Sequence, residues 1–351
     1  MRAQDDPALL LQTGLDESDC VILDEAAYAP NIFPEIKRRI DAARRRHEHE
    51  PELWITGSNR VLLAHRVRES LAGRASYYAL HSLSVAELGK EANLADWLFR
   101  GGWPELYVRR ELDPAQYLAD YVRTFVEKDI AVTAGVERLL EFHRALRLLA
   151  ARTGTILNAS DIGQLAGVKG QTVSGWLDLL EQNALFSRLE PYQSNLSKRL
   201  ARRPKLYALD TGLAAHLQGW RATSPLLASP QAGPLFETLV FTELVRARDH
   251  RGLSFASYFY RTKEGEELDF LLELQGPSGT AWLGVEAKLA IQGARAVEVP
   301  PTLARALPEL REIWVVTAGG DETRLSSTCR QMPIAILAQR LEERLSGGKL
   351  K

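Results

Sequence analysis

The stretch that decides the fold runs Val21-Ile22-Leu23-Asp24-Glu25. Three apolar residues, two of them β-branched, lead directly into two carboxylates. A short apolar run of this kind is typical of a buried strand in a parallel sheet. Ligands of open α/β sheets bind beyond the carboxyl ends of the strands, where Asp24 and Glu25 lie. The stretch therefore predicts a ligand site at a strand end, and the alternative is a solvated acidic turn.

The residues that follow extend this strand into a strand–helix–strand unit. Residues 31–47 carry isoleucines every four positions, which predicts a helix. Residues 53–56 form a second apolar run, which predicts another buried strand, and a polar Gly57-Ser58-Asn59 turn closes it. The crossover should be right-handed. Ser58 should then lie beside Asp24.

Two carboxylates at a strand end match the Walker B arrangement of nucleotide hydrolases. There the aspartate holds the Mg²⁺ shell and the glutamate orients or activates the attacking water. Asp24 and Ser58 are therefore the candidate cofactor-binding residues, and Glu25 is a candidate catalytic residue. Arg74 is a candidate arginine finger, which would act in a neighbouring copy and suggests a homo-oligomer. The alternative for Arg74 is an ordinary surface ion pair.

Further segments extend the pattern over nearly the whole chain: VILDEAAYAP (21–30), TGS (56–58), SLAGR (70–74), GGWPE (101–105), YVRTFVEKDI (121–130), RPKLYALDTGL (203–213) and FE (236–237). With these segments the chain resembles a prokaryotic family of AAA-type ATP-binding proteins. That family carries a C-terminal domain of unknown function related to PD-(D/E)XK nucleases. The resemblance implies ATP as a cofactor of the full-length family.

The chain departs from this family at the phosphate-binding loop. The family's loop has the pattern G-x-x-x-x-G-K-[ST], whose backbone amides cradle phosphates. The Gly-Lys pairs of this sequence, Gly89-Lys90 and Gly348-Lys349, do not fit the pattern. The resemblance places Met1 after the family's second strand. We therefore expect an N-terminally truncated ATPase part that does not hydrolyse ATP alone. The alternatives are a fragment of a longer protein, a misassigned start or a degenerate ATPase half. Ala27 also stands where the family commonly has Gln.

Composition sets few limits on function. The 351 residues carry a formal net charge of −1, so any basic footprint for nucleic acid must be local. The two cysteines, Cys20 and Cys329, provide neither a disulfide framework nor a zinc spacing. The sequence has no run of about 18 apolar residues, so we expect no membrane span. The first residues lack signal-peptide features, which predicts a cytoplasmic protein.

The middle of the chain predicts a winged helix. Residues 160–165 and 171–182 form a helix-turn-helix pattern, and residues 185–189 and 205–209 are predicted strands. In DNA-binding winged helices, basic side chains contact phosphates. The second helix lacks Arg and carries two acids, so a mere packing module is the alternative. The candidate nucleic-acid contacts lie between the two strands, at Lys198, Arg199, Arg202, Arg203 and Lys205.

Two strands near the C-terminus place acidic residues opposite each other. The turn at 275–280 joins them. A hairpin symmetric about this turn sets Asp269 opposite Glu286, with Cβ atoms roughly 4.5–5.5 Å apart. That separation allows the two carboxylates to share a metal ion. Lys288 follows Glu286 by two residues and lies on the same face.

These residues match the D…E-x-K set of PD-(D/E)XK nucleases. The resemblance adds Glu237, on a helix predicted over 233–248. Asp269, Glu286 and Glu237 are the predicted ligands of Mg²⁺ or Mn²⁺, which would lower the pKa of a bound water. Lys288 is the predicted catalytic lysine that positions this water or offsets developing charge. The alternative is a buried Glu–Lys pair in an inactive domain of the same fold.

The sequence thus predicts an α/β multidomain protein. Its expected parts are a partial P-loop-type parallel sheet at 1–92, a helical linker at 93–150, a winged helix at 151–215 and a restriction-endonuclease-like α/β domain at 225–345. The expected function is that of an AAA-type ATP-binding protein joined to a nuclease-like domain. The alternatives are a metal-dependent DNA nuclease independent of ATP and a non-enzymatic scaffold that binds DNA or protein.

Overall fold

The computed structural model describes residues 5–57, 60–132, 135–193, 202–276, 279–289 and 295–346. The chain divides into two compact units, Met1–Tyr78 and Ala79–Lys351. Three of the candidate site residues, Ser58, Lys198 and Arg199, lie outside the described residues.

The first unit is built on a two-stranded parallel sheet. Strand β1 (Cys20–Leu23) pairs with β2 (Glu52–Ile55), which sets Ile22 opposite Trp54. The predicted parallel strand–helix–strand unit is therefore confirmed. The described α-helices of this unit are α1 (Pro7–Glu17), α2 (Ile32–Arg46) and α3 (Arg60–Ser70).

One face of this sheet packs on a core and the other is exposed. Val21 and Leu23 contact the core that the helices supply, with Phe33 at its centre. On the opposite face Ile22 is 69% exposed and Trp54 is 52% exposed. The prediction that both strands are buried is therefore wrong for one face. The reason is the alternation of side chains along a strand, which sends every second residue away from the helices.

The second unit begins with a series of short helices, which the helix Leu139–Ala151 follows. Asp113 caps one of them with its side chain ahead of Pro114, as this residue pair predicts. The helices are α4 (Val85–Leu88), α5 (Leu94–Phe99), α6 (Pro104–Val108), α7 (Pro114–Tyr121), a π-helical continuation (Val122–Val132) and α8 (Leu139–Ala151).

A helix-turn-helix and a small antiparallel sheet follow. Helices α9 (Ala159–Ala166) and α10 (Gly170–Gln182) pack against α8. The sheet has the order β3-β5-β4, and its strands are β3 (Thr155–Ile156), β4 (Phe186–Leu189) and β5 (Lys205–Ala208). The predicted helices and strands of this region are confirmed in position.

A buried carboxylate, Asp210, connects three segments of this unit. Its Oδ2 accepts hydrogen bonds from Gly102 N (3.0 Å) and Ser82 Oγ (3.1 Å). Its Oδ1 accepts hydrogen bonds from Trp103 Nε1 (2.9 Å) and Leu213 N (2.9 Å). The two family segments GGWPE and RPKLYALDTGL therefore meet in space at one side chain.

The position directly before Gly102 has no room for a side chain. Gly101 has φ +67°, and a Cβ atom there would lie 2.2 Å from Asp210 Oδ1. Only glycine combines this backbone conformation with so close an approach.

The remainder of the second unit is a mixed six-stranded sheet with helices. The long helix α13 precedes the sheet, and its apolar residues belong to the main core of this unit. The helices are α11 (Thr211–Gln218), α12 (Thr223–Leu227), α13 (Ala232–Arg251), α14 (Pro301–Ala306) and α15 (Leu337–Leu345). The strands are β6 (Phe255–Arg261), β7 (Glu267–Gly276), β8 (Gly279–Lys288), β9 (Ile313–Thr317), β10 (Thr323–Arg324) and β11 (Cys329–Pro333).

The sheet has the order β10-β11-β9-β8-β7-β6. Strands β6, β7 and β8 are antiparallel neighbours, while β9 runs parallel to both β8 and β11. In the β7–β8 hairpin, Phe270 lies opposite Val285 and Gly276 opposite Gly279. This is the register that the symmetric turn predicts, and it is therefore confirmed. Asp269 and Glu286 are the next two residues in that register.

Candidate functional site

The D…E-x-K residues of β7 and β8 contact one another. The Asp269 backbone N–H donates to Glu286 Oε1 (3.3 Å), and the Ala287 N–H donates to Asp269 Oδ2 (2.9 Å). Lys288 Nζ lies 2.8 Å from Glu286 Oε2, on the face that the strand alternation requires. Three of the four residues predicted for this site are thus direct neighbours.

Glu237 of α13 is held from the neighbouring strand β5. Its Oε1 accepts hydrogen bonds from Tyr207 OH (2.5 Å) and Lys205 Nζ (3.0 Å). Lys205 also forms an ion pair with Glu267 Oε1 at 3.0 Å. Lys205 and Tyr207 both belong to this group because residues two apart share one face of a strand.

The sequence placed Lys205 among solvent-exposed contacts to nucleic acid, and the structure places it elsewhere. Lys205 is 2% exposed and its ammonium faces carboxylates. The contribution of Lys205 and Tyr207 to the acidic site was therefore missed. The signal that could have revealed it is the strand that contains both residues, since a lysine inside an apolar strand needs an acidic partner.

Crowding of buried carboxylates shifts the acidity of this group. Burial, and then the nearby Asp269, raise the pKa of Glu286 and of Glu237. Burial likewise raises the pKa of Asp269. Burial alone would lower the pKa of Lys205, but Glu237, Asp269 and Glu267 outweigh it and raise the pKa. Positive charge near these carboxylates therefore stabilises the cluster. Lys205 and Lys288 supply part of that charge.

The structure limits how these residues could hold a metal ion. Within the part of the chain that the structure describes, no three or more His, Cys, Asp or Glu side chains are arranged to bind one. Glu237 is engaged by Tyr207 and Lys205. Asp269 and Glu286 are a pair of adjacent acids, and Glu286 is itself contacted by Lys288 and by the Asp269 N–H. The pair fits Mg²⁺, which usually keeps several waters and binds through one or two carboxylates plus substrate phosphates.

The acids of the first unit lie at the end of β1, as predicted. Thr56, directly after β2, donates a hydrogen bond from Oγ1 to Asp24 Oδ1. The Glu25 N–H in turn donates to Thr56 Oγ1 (3.4 Å), and Glu25 has φ +52° in the left-handed region. A polar residue that directly follows the second strand thus contacts Asp24, the predicted Walker B aspartate.

The candidate arginine finger forms an ion pair within the first unit. Arg74 Nε lies 2.6 Å from Asp41 Oδ1, and a second guanidinium nitrogen donates to Asp41 Oδ2 at 3.1 Å. The structure therefore shows the ion pair that was the alternative for Arg74.

Two of the other basic candidates, Arg202 and Arg203, are among the described residues and lie exposed on the surface, directly before β5. The two acids of α10, Asp178 and Glu181, both form ion pairs with Arg188 of β4. The second helix of the helix-turn-helix is therefore bound to the small sheet through its acids.

Comparison with known families divides the chain into three parts. Residues 2–89 match the family model "AAA domain". Residues 91–224 match "Domain of unknown function (DUF8612)", and residues 232–337 match "Domain of unknown function (DUF4143)". Three successive parts of the chain are thus each similar to a different family model, the first to an AAA domain and the other two to domains of unknown function.

Several bacterial proteins are similar to this chain. The uncharacterized proteins Rv2008c of Mycobacterium tuberculosis and Mb2031c of Mycobacterium bovis are each 32% identical over 272 residues, which is 77% of this chain. An uncharacterized protein of Haemophilus influenzae is 28% identical over 56% of this chain and 51% of its own length. The chain spans 59% of the length of the two mycobacterial relatives.

No solved structure matches the chain. Among the helices of the described residues, none combines the length and the apolar content that crossing a membrane requires.

Proposed function

We propose that the C-terminal sheet hydrolyses phosphodiester bonds of DNA in the presence of Mg²⁺ or Mn²⁺. The observation that carries the proposal is the meeting of Asp269, Glu286 and Lys288 at one point of adjacent strands. Two acids and a lysine in this arrangement are typical of PD-(D/E)XK nucleases. On this proposal the domain at 225–345 has a restriction-endonuclease-like fold.

Each residue of the site has a distinct role in this proposal. Asp269 and Glu286 would hold the cation, which lowers the pKa of a bound water and stabilises the charge that develops on the phosphate. Lys288 is half-exposed, so its ammonium can reach a phosphate oxygen and offset that charge. Lys205 is a positioning residue, because it fixes Glu237 beside the acids without reaching solvent.

The helix-turn-helix and the three-stranded sheet support a related proposal. Their order of elements and antiparallel pairing fit a winged helix at 151–215. Arg202 and Arg203 are the exposed basic residues that would contact DNA phosphates there.

The test is cleavage of labelled single-stranded, duplex and supercoiled DNA by the full chain with Mg²⁺, Mn²⁺ or a chelator. We expect cleavage with a divalent ion and a loss of at least about 10²-fold in D269N, E286Q and K288M, since the first two remove carboxylates that would hold the cation and the third removes positive charge near the phosphate. Glu309→Gln, an exposed acid of the same unit, is the matched control.

Two results would contradict this function. One is the absence of cleavage of every DNA form with either ion. The other is equal cleavage by wild type and D269N, which would indicate a contaminating nuclease.

For the first unit we propose a part in a nucleotide site. The contact of Thr56 with Asp24 supports this, because it completes the polar end of a parallel sheet where nucleotides bind. The 351 residues contain no G-x-x-x-x-G-K-[ST] segment, so we expect no ATP turnover by this chain alone. A chimera that supplies such a segment should bind Mg-ATP and lose binding in D24N. ATP turnover by the present chain that D24N abolishes would contradict this.

A further inference from the structure

A cavity of about 320 Å³ lies in the second unit, and its lining includes three basic residues and one acid, Glu264. Arg202 comes from the segment before β5, whereas Arg261 and Lys263 come from the β6–β7 turn. All three are exposed at their outer ends. Two separate segments of the chain therefore direct three positive charges toward one space.

Tyrosines form the inner wall of this cavity. Tyr192 and Tyr260 line it, and Tyr260 is largely buried. The ring of Tyr192 packs edge-on against Trp282, with ring centres 5.4 Å apart. The backbone of Tyr192 donates to the Phe259 carbonyl (2.6 Å), which attaches its segment to β6. The aromatic wall is thus fixed before any ligand arrives.

The cavity and the carboxylate site lie on neighbouring strands, because Arg261 belongs to β6 and Asp269 to β7. Arg261 lies opposite Glu267 in the β6–β7 register, with Arg261 Nε 3.9 Å from Glu267 Oε2. Asp269 follows Glu267 by two residues, a distance of roughly 7 Å along a strand. A chain of phosphates that passes Asp269 would therefore reach Arg261 within one or two units.

We propose that this cavity binds a phosphate of the nucleic-acid strand that the carboxylate site cleaves, with the tyrosines against the adjoining sugar or base. This inference rests on the proposed nuclease function. Arginine presents its donors in a fork that matches phosphate geometry, and two of the three cations are arginines. Aromatic rings beside such cations are typical of single-strand binding.

The size of the cavity favours one strand over two. About 320 Å³ is at the lower end of the range for small-ligand pockets, so the cavity admits one nucleotide unit and is too small to enclose a base pair. A single strand, or the frayed end of a duplex, is therefore the form of nucleic acid that fits.

The test measures binding of a fluorescent single-stranded oligothymidine to the full chain by anisotropy, in chelator and at 50–200 mM NaCl. We expect R202Q/R261Q/K263Q to bind at least about tenfold more weakly than wild type. The slope of log affinity against log salt should fall by about 0.7, because one phosphate contact on a single strand contributes about that much. R123Q/R221Q/R311Q, which removes three exposed arginines that do not line the cavity, should bind like wild type.

The outcomes separate this inference from the proposed function. If no cleavage is found but binding still depends on the three cations, the binding site stands and the nuclease function falls. If the triple variant binds like wild type, or the control triple weakens binding equally, the inference is wrong whatever the cleavage assay shows. Displacement of the oligonucleotide by an equal concentration of adenosine monophosphate would also overturn it, since the site would then recognise a free nucleotide.

Discussion

Both units place acids at the ends of strands, but the two groups of acids have different surroundings. In the first unit Asp24 is exposed, and a neutral hydroxyl from Thr56 contacts it. In the second unit Glu286 is 5% exposed, and the ammonium groups of Lys288 and Lys205 lie within the same cluster. Buried charge must be compensated inside the protein. The second site therefore carries its own positive charge, whereas the first can receive it from a ligand.

The two sheets explain this difference. The sheet of the first unit has two strands and exposes Ile22 and Trp54 on one face. The sheet of the second unit has six strands, and the adjacent residues Phe270 and Leu271 of β7, which point to opposite faces, are both fully buried. A strand covered on both faces removes its side chains from water, so any acid at its end needs a partner.

The largest expected effect concerns the buried lysine. Lys205→Met should lower the free energy of unfolding of the second unit by about 3–5 kcal/mol, because Glu237 and Glu267 would lose their buried partner. Denaturant unfolding followed by tryptophan fluorescence measures this. The signal reports mainly on the second unit, since Trp54 is the only one of seven tryptophans before residue 79.

The matched variant in the first unit is Arg74→Met. It breaks an ion pair that is open to water, and we expect a much smaller effect on the stability of the first unit, which hydrogen exchange resolved along the chain measures. Equal losses of stability in the two variants would show that the ion pairs of the two units do not differ in their degree of burial.

A smaller effect concerns Asp249, whose contribution to the stability of the second unit should be lost at low pH. Asp249 lies 2.7 Å from His81 Nε2 and accepts a hydrogen bond from Arg248. Burial alone would raise the pKa of Asp249, but these contacts outweigh burial and lower it. Because the folded pKa lies below the unfolded value of about 3.9, the stabilisation is complete above that pH and is lost as the pH falls further.

The comparison of wild type with Asp249→Asn tests this from pH 7 to pH 3. The variant should be less stable at pH 7, and the difference should shrink as the pH falls below about 4. A difference that stays constant with pH would show that the carboxylate charge contributes nothing.

The smallest expected effect concerns the exposed face of the first sheet. Ile22→Thr should change the stability of the first unit by no more than about 0.5 kcal/mol, since the side chain is already in water. Phe270→Ala in the second sheet, by contrast, should cost about 3–5 kcal/mol. Hydrogen exchange resolved along the chain measures the two units separately. A large loss in Ile22→Thr would mean that something covers this face in solution.

Local sequence patterns predicted the parts of the fold that depend on neighbours in the chain. The symmetric turn gave the register that brings Asp269 to Glu286, because a short hairpin fixes its own pairing. Asp113 before Pro114 likewise marked a helix start, because this signal depends only on neighbouring residues in the chain. The exposure of Ile22 was not predictable, since an apolar run does not reveal what covers each face.

The contribution of Lys205 was hidden by its neighbours in the sequence. It follows Arg202 and Arg203 so closely that it appeared to belong to a basic loop. Its partner Glu237 lies 32 positions away on another element, and no local pattern joins the two. Contacts of this kind depend on the packing of α13 against β5, which only the tertiary structure supplies.

The hydrogen bonds of Asp210 have a consequence for recombination between relatives. Gly102 and Asp210 lie 108 positions apart, yet each needs the other: the glycine segment leaves room for the carboxylate, and the carboxylate satisfies the segment's N–H groups. A crossover between these positions would pair halves from two parents. Such a hybrid keeps the hydrogen bonds of Asp210 only if both parents carry the same two motifs. The segment from Gly102 to Asp210 is therefore best exchanged as one block.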